Sequence, residues 1–463
     1  MNKDIIVLGG GPGGYVAAIR AAHLGANVCL IEMDKVGGTC LNRGCIPTKA
    51  LWRNAEILNT LKHIKEFGIE IDGYSINVEE VQNRKQKVVD QLVSGIEQLL
   101  KANKVEIIKG KGSLKDKNTV VVTLADGSVS EITAKNIIIA TGSKTSLPPI
   151  QGADLEGVFT SDELLNFKEI PKRLAVIGGG VIALEFAGIF AAMGSAVTVV
   201  NRSNILKRVD SDIVKRFAVS VKKKGIELIT ECSIEKIEKR SGLFYVLGEN
   251  KKGRYEVEAE ALLVATGRDP VLDGINLEGV GIEYSNRGIQ VDANYETNIK
   301  GIYAIGDVNG KIMLAHAASH QGIHVAERIM GIEKHFHSPV PDCIFVFPEI
   351  ASVGMTEDEC KEKGIPYNAS KFMFGANGKA LSLGEAEGFV KVLSNEKDEI
   401  IGVHIMGPHA SDLIHEGTLA ISAKLKAQDI IHTIHAHPTL AESFHEAVSG
   451  LKNEAIHMIQ QRK

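Results

Sequence analysis

The sequence predicts an α/β protein with two Rossmann-like dinucleotide-binding domains followed by a C-terminal α+β domain. Three observations carry this expectation. An apolar run that ends in a glycine-rich turn and opens a helical segment, Gly9-x-Gly11-x-x-Gly14, recurs as Gly178-x-Gly180-x-x-Ala183. Each turn lies inside a strand–turn–helix–strand unit, and Glu32 stands as far beyond Gly9 as Asn201 stands beyond Gly178. From Pro341 the pattern changes to alternating short strands, then to helices from about Ser411.

A single such glycine motif is weak evidence; two at matched spacing are strong. The first glycine allows the tight turn, the second lets backbone approach a pyrophosphate, and the third lets helix and strand pack closely. The helix N-terminus offers its unpaired N–H groups and positive dipole end to the phosphates, including those of Val181 and Ile182 in the second unit. An acid at the end of the second strand accepts from ribose hydroxyls, and Glu32 fills that role in the first unit. Two sites imply two dinucleotides, a flavin (FAD) and a nicotinamide (NAD or NADP).

Between the units, a helix is expected from about Val78 to Ala102, then short strands from Lys104 to Ile139. That stretch ends in Ala140-Thr141-Gly142-Ser143, and Ala265-Thr266-Gly267 repeats the pattern after the second unit. Each is expected to bring the chain back beside its nucleotide. The expected boundaries are 1–145 for the first part of the FAD-binding domain and 146–265 for the NAD(P)-binding domain. Residues 266–340 then form a segment returning to the FAD and central region, and 341–463 the C-terminal domain.

A chain of 463 residues is too long for one core. Its net charge of −4, without a long basic run, excludes nucleic acid as an expected partner. The first residues lack the pattern of a signal peptide. Leu174–Val200 would pass a hydropathy window for a membrane span, but its glycines and Glu185 divide it into strand, turn, helix and strand. The expectation is a cytoplasmic protein with no membrane association. Cys29, Cys232, Cys343 and Cys360 are scattered, and no Cys/His set has zinc spacing, so no metal site is expected.

Cys40 and Cys45 are close in sequence and follow Glu32 by few residues, which places them near the first dinucleotide. A helix is expected to continue through Pro47, Thr48 and Lys49. Thiols near a helix N-terminus gain thiolate character from its dipole. A buried pair or a structural disulfide is the alternative, and a reducing compartment beside a nucleotide motif disfavours it.

The segment Gly37-Gly-Thr39-Cys40-Leu-Asn-Arg-Gly-Cys45-Ile-Pro-Thr-Lys49 resembles the signature of the pyridine nucleotide–disulfide oxidoreductases, and the likeness extends over essentially the whole chain. The tail segment His435-Ala-His437-Pro-Thr-Leu-Ala-Glu442 resembles that of the branch that reoxidises dihydrolipoyl groups. The resemblance implies a homodimer with one FAD per subunit and a C-terminal dimerisation domain. It makes Cys40 the thiol that exchanges with substrate and Cys45 the thiolate against the flavin. Lys49 and Glu185 become an ion pair on the nicotinamide side, and His437, oriented by Glu442, the proton acceptor. Further FAD contacts are implied at Thr39, Gly112, Thr141, Gly142, Ser143, Asp307 and Ala315. The substrate is then a lipoyl-bearing protein of a 2-oxoacid dehydrogenase or glycine-cleavage system. Rival readings are an NADPH-driven reductase of glutathione or a similar disulfide, and a non-catalytic flavin-binding assembly subunit. In one respect the chain departs from that branch, which usually carries a glutamate where Asn201 stands. With Arg202 and Lys207 close by, the sequence leans towards NADP(H).

Overall fold

The computed structural model describes residues 2–333 and 338–459. The chain forms two compact units. Unit 1 comprises Met1–Pro148, Phe159–Glu169 and Thr266–Phe336, and unit 2 comprises Pro149–Val158, Ile170–Ala265 and His337–Lys463.

In unit 1, β1 (Asn2–Leu8), α1 (Pro12–His23) and β2 (Val28–Glu32) form the first strand–turn–helix–strand unit. Two helices follow almost without a break, α2 (Gly38–Arg43) and α3 (Cys45–Lys62), and then α4 (Val78–Ala102). The strands β3 (Glu106–Lys109), β4 (Lys111–Leu114), β5 (Thr119–Thr123) and β6 (Val129–Ile139) complete a sheet ordered β3-β2-β1-β6-β5-β4. The late segment Ile302–Ala304 pairs in parallel with β6. The β1–β2, β1–β6 and β2–β3 pairs are also parallel, so both faces of the sheet's centre need cover, and Ile5–Leu8, Val28–Ile31 and Ile137–Ile139 are apolar and buried. One face packs on α1 and on the helix Ala315–Ile329. These two helices approach closely at small residues, since a Cβ on Gly322 would collide with the Gly13 carbonyl.

Unit 2 repeats the motif with β7 (Arg173–Ile177), α5 (Val181–Met193) and β8 (Ala196–Val200), followed by α6 (Ser211–Lys223), β9 (Glu227–Ile229) and β10 (Ala261–Val264). Its parallel strands run β9-β8-β7-β10. The apolar stretch Leu174–Val200 is thus a strand, a turn, a 13-residue helix and a strand. Among the described residues no helix is long and apolar enough to cross a membrane.

The C-terminal part of unit 2 is an antiparallel sheet of β11 (Asp342–Ile344), β12 (Ile350–Gly354), β13 (Asn368–Met373), β14 (Phe389–Ser394) and β15 (Ile400–Met406), ordered β11-β12-β15-β14-β13. The helices α7 (Ala410–Ser422) and α8 (Glu442–Leu451) cover one face, where Val390, Val392, Val403, Ile405, Ile414 and Phe444 form the core.

Candidate active site

The first glycine turn is shaped by contacts that exclude side chains. Gly9 has φ +101°, and a Cβ there would run into the Ala140 carbonyl. A Cβ on Gly14 would overlap the Gly9 carbonyl, so helix and turn touch through backbone alone. Gly11 caps α1. Gly38, at φ +55°, lies against Gly11, where an added Cβ would come within 2.6 Å of the Gly11 Cα. The start of α2, with Thr39, is thereby held beside the start of α1. Glu32 ties the turn to the end of β2, accepting from Gly10 N at 2.6 Å and Asp34 N at 2.8 Å.

Cys40 is the third residue of α2 and Cys45 the first of α3, so each sulfur stands in the first turn of a helix. Gly44 between them has no room for a side chain, because its Cβ would press on Thr39 O at 2.9 Å and Cys40 Cα at 3.2 Å. That lets the chain fold back on itself and bring the two sulfurs together as a hydrogen-bonded thiol pair. Thr48 secures the second helix by donating its hydroxyl to Gly44 O at 2.7 Å. Lys49 lies one residue further along α3. The expected thiolate character does not extend to Cys40. The Cys45 sulfur beside it, and then burial, push its thiol far above the ordinary value, and the Lys49 ammonium opposes this only in part. Two adjacent sulfurs share one charge more readily than they carry two.

The Ala140-Thr141-Gly142-Ser143 segment meets Gly306-Asp307. Ser143 donates to Asp307 Oδ2 at 2.6 Å, and Arg268 donates through Nε to Ser143 Oγ and through Nη2 to Ser143 O, both at 2.7 Å. Thr141 donates to Val271 O at 3.0 Å. Gly142, at φ +73°, has open space where a Cβ would stand, as does Gly267. Gly112 lies in β4 over Leu8, whose side chain fills the space a Cβ would need. Ala315 opens the helix Ala315–Ile329. Arg268 was not expected in this cluster; its place beside the second Ala-Thr-Gly was the available signal. Tyr15, also unexpected, is half-buried on α1, and burial followed by the Cys40 sulfur raises its phenol.

In unit 2, Gly178 (φ +133°) and Gly180 build the second turn, with Val181 and Ile182 opening α5. Ala183 stands in place of the third glycine, with its methyl buried. Glu185 is buried on α5 and accepts from Phe345 N at 3.1 Å. Asn201 is held in the reverse sense to Glu32. Its amide donates to Ser203 O at 2.8 Å and Asn204 O at 3.2 Å, two carbonyls that would repel a carboxylate. Arg202, Lys207 and Arg208 are exposed on this loop.

In the tail, His437 is 78% exposed, and its Nδ1 lies 2.9 Å from Glu442 Oε1. The other Glu442 oxygen accepts from Thr439 N at 2.8 Å. The Thr439 N–H and His437 hold this carboxyl below its ordinary value, although burial alone would raise it. Cys40, Cys45 and Lys49 belong to unit 1, whereas Glu185, His437 and Glu442 belong to unit 2.

Comparison with known proteins bears on these features together. Residues 3–322 match the family described as pyridine nucleotide-disulphide oxidoreductase, and residues 340–448 match that family's dimerisation domain. A dihydrolipoyl dehydrogenase of Bacillus subtilis is 42% identical, over 98% of this chain and 99% of the relative. One from Chlamydia trachomatis is also 42% identical, over the full length of both, and a mitochondrial one from Arabidopsis thaliana is 38% identical over 99% of this chain and 92% of its own. Among solved structures, a copper(II) complex of the HOCl-induced flavoprotein disulfide reductase RclA from Escherichia coli superposes with a TM-score of 0.88. It is 27% identical, with 97% of this chain and 99% of that one covered.

Proposed function

The chain belongs to the pyridine nucleotide-disulphide oxidoreductase family and is an FAD-dependent oxidoreductase, and we propose that it reoxidises protein-bound dihydrolipoyl groups and passes their electrons to a pyridine nucleotide. The observation that carries this is the His437–Glu442 pair in a chain that also holds the Cys40–Cys45 pair, with relatives of that activity matched end to end.

The first unit fits FAD. The bare surfaces at Gly11 and Gly142, the adjoining starts of α1 and α2, and the Glu32 carboxylate suit a pyrophosphate and a ribose. Gly9, Gly14, Thr39, Thr141, Ser143, Asp307 and Ala315 complete the proposed cradle, with Gly112 beneath it. FAD, when bound, carries the electron pair from the cysteine pair to the nucleotide.

The thiol chemistry belongs to the chain itself. Glu442 accepts only, so Nδ1 of His437 carries the hydrogen between them and Nε2 presents its lone pair. Nε2 takes the proton of one substrate thiol. The thiolate attacks Cys40 of the Cys40–Cys45 disulfide, forming a mixed disulfide and releasing Cys45 as a thiolate. The second substrate thiol attacks the substrate sulfur of the mixed disulfide as its proton passes to the departing Cys40 sulfur, closing the lipoyl ring and freeing Cys40 as a thiol. One disulfide is thus made and one broken, and the electron pair rests on the two cysteines.

The dimerisation-domain match supports a homodimer. In such a dimer His437 of one subunit serves the cysteines of the other. Lys49 and Glu185 are assigned to the nicotinamide side of the flavin, and Gly178, Gly180, Val181, Ile182 and Gly267 to the nucleotide. For nucleotide choice the reading is NADP(H), supported by the donor-type anchoring of Asn201 and the exposed Arg202 and Lys207. The test is kcat/KM with free dihydrolipoamide and either nucleotide, set against oxidised glutathione with NADPH. Faster turnover of glutathione would overturn the lipoyl reading.

A further inference from the structure

Lys391 lies at the centre of β14 and is fully buried. Strand alternation turns Val390 and Val392 into the apolar core and Lys391 to the opposite face, where it pairs across the sheet with Lys371 and His404. Its ammonium donates to both oxygens of Asp210, at 3.0 and 2.8 Å, and to Asp212 Oδ2 at 2.8 Å, and lies 2.6 Å from Glu357 Oε2. Lys371 and Lys361 complete the network on Asp212 and Glu357, so three acids face three ammoniums. The Lys361 and Lys391 ammoniums hold the Glu357 carboxyl down at about 2. Against the burial that would raise it, Lys371 and Lys391 hold Asp212 at about 2 as well.

Asp210 is fully buried and is also the N-cap of α6. It ends the loop that begins at Asn201 and carries Arg202, Lys207 and Arg208. The near end of that loop is folded on itself by the Asn201 amide bonds to Ser203 O and Asn204 O, and is tied to the glycine turn by Leu206 N donating to Gly179 O at 2.9 Å. The far end borders a cavity of about 120 Å³, lined by Arg208, Val209 and His404 among others, and polar ties hold it: the Lys391–Asp210 pair, Glu357 N donating to Asp210 Oδ2 at 3.4 Å, and Ser211 donating to Asp358 from N at 3.1 Å and from Oγ at 3.2 Å. A serine or asparagine at 210 would cap α6 equally well, and a buried ammonium is costly unless it is fully paired. Helix capping alone therefore does not account for the pair.

We propose that Lys391 is a positioning residue for pyridine nucleotide recognition, anchoring from the C-terminal sheet the far end of the loop that receives the nucleotide's adenosine ribose. The proposal rests on the reading that assigns Asn201–Arg208 to the nucleotide. Lys391 touches no substrate; it sets where Arg202, Lys207 and Arg208 stand.

The experiment uses the FAD-loaded dimer with Lys391→Met, and with Lys391→Met combined with Asp210→Ser, which keeps a capping hydroxyl and leaves no unpaired acid at 210. Titration calorimetry gives Kd for NADP+ and NAD+, and steady-state assays separate KM from kcat. The expected result is a rise of roughly 3- to 30-fold in nucleotide Kd and KM, with kcat and the reduction of the enzyme by dihydrolipoamide within about twofold. Arg202→Ala serves as the reference. If Arg202→Ala weakens nucleotide binding while the folded double variant binds as the wild type does, the anchoring role is overturned and the nucleotide reading stands. If neither changes binding, the loop assignment fails and the proposal falls with it.

Discussion

Glu442 stands 2.9 Å from Nδ1 of His437 and, with its other oxygen, takes the N–H of Thr439. The carboxylate is therefore oriented by the backbone before it orients the imidazole, and the tautomer of His437 is set by a fixed acceptor. Replacing His437 by Gln is expected to lower turnover with dihydrolipoamide by about 10²–10⁴-fold, the usual contribution of a general base. Reduction of the enzyme by NADH or NADPH, measured by stopped flow, is expected to stay nearly unchanged. The Glu442 carboxyl sits below its ordinary 4.5, so its support of the pair is complete above that value and is lost only as pH falls through the lowered one. Any acid limb of kcat/KM above pH 5 then does not come from Glu442 itself, and Glu442→Gln, which changes the acceptor at Nδ1, is expected to move it. A limb unmoved by that change would remove Glu442 from the mechanism.

The two sulfurs are distinguished by trapping. If Cys40 exchanges with substrate, Cys45→Ser leaves Cys40 able to form a mixed disulfide that persists when the partner is a monothiol, which has no second thiol to reverse it. Incubation of that variant with a monothiol disulfide such as cystamine, followed by intact-mass measurement, is expected to give a single adduct on Cys40. Cys40→Ser is expected to give far less, because the remaining sulfur is the one assigned to the flavin side. Equal adducts in the two variants would reverse or void the assignment.

The two glycine motifs make a paired stability prediction. In the first, a Cβ at Gly14 would overlap the Gly9 carbonyl, and no flexible side chain is available to give way. Gly14→Ala is expected to cost about 1–3 kcal/mol, seen as a lower Tm and loss of retained FAD. In the second, Ala183 already stands in the third position, and Ala183→Gly costs helix propensity, about 1 kcal/mol, and a buried methyl, about 0.8 kcal/mol, without any backbone overlap. Equal loss of FAD in both variants would show that the closeness of the first turn is not what the cofactor needs.

These cases also mark what the sequence made legible. Glu32 and the glycines were readable because their contacts lie within a single strand–turn–helix–strand unit, where spacing fixes geometry. Ser143 and Asp307 were readable only as two separate motifs, since the bond joining them spans 164 residues. Tyr15 and Arg268 escaped notice because a tyrosine or arginine beside a motif has no spacing rule of its own. Lys391 was hidden most completely. In Val390-Lys391-Val392 a lysine between two core positions reads as the solvent side of an amphipathic strand, and only the acids brought by α6 and by Glu357 reveal that this side is buried. The suppressed acidity of Cys40 was missed for a related reason. The dipole argument considers each thiol alone, and the structure places them together.

Nucleotide choice gives the last prediction. At equivalent steps of the two motifs, Glu32 is held by backbone N–H groups and Asn201 holds backbone carbonyls. A carboxylate at 201 would face the Ser203 and Asn204 carbonyls, so the loop is built for a donor at that position, and the acid that would repel a 2′-phosphate is missing. Arg202 follows directly and is exposed, with a planar guanidinium suited to a phosphate in a two-point contact. Wild-type enzyme is expected to use NADP+ with a kcat/KM at least comparable to that for NAD+. Arg202→Ala is expected to lower the NADP+ value by roughly tenfold or more, since charge-assisted hydrogen bonds contribute about 1.5–3 kcal/mol, while leaving the NAD+ value within about twofold. Asn201→Glu is expected to act in the same direction and also to loosen the loop, because it sets a carboxylate against two carbonyls. Both variants are assayed with the same lipoyl substrate, so that differences arise on the nucleotide side alone. A wild type that strongly prefers NAD+, with a preference that Arg202→Ala leaves unchanged, would reduce Arg202 and Lys207 to solvated surface charges and make Asn201 an ordinary ribose contact.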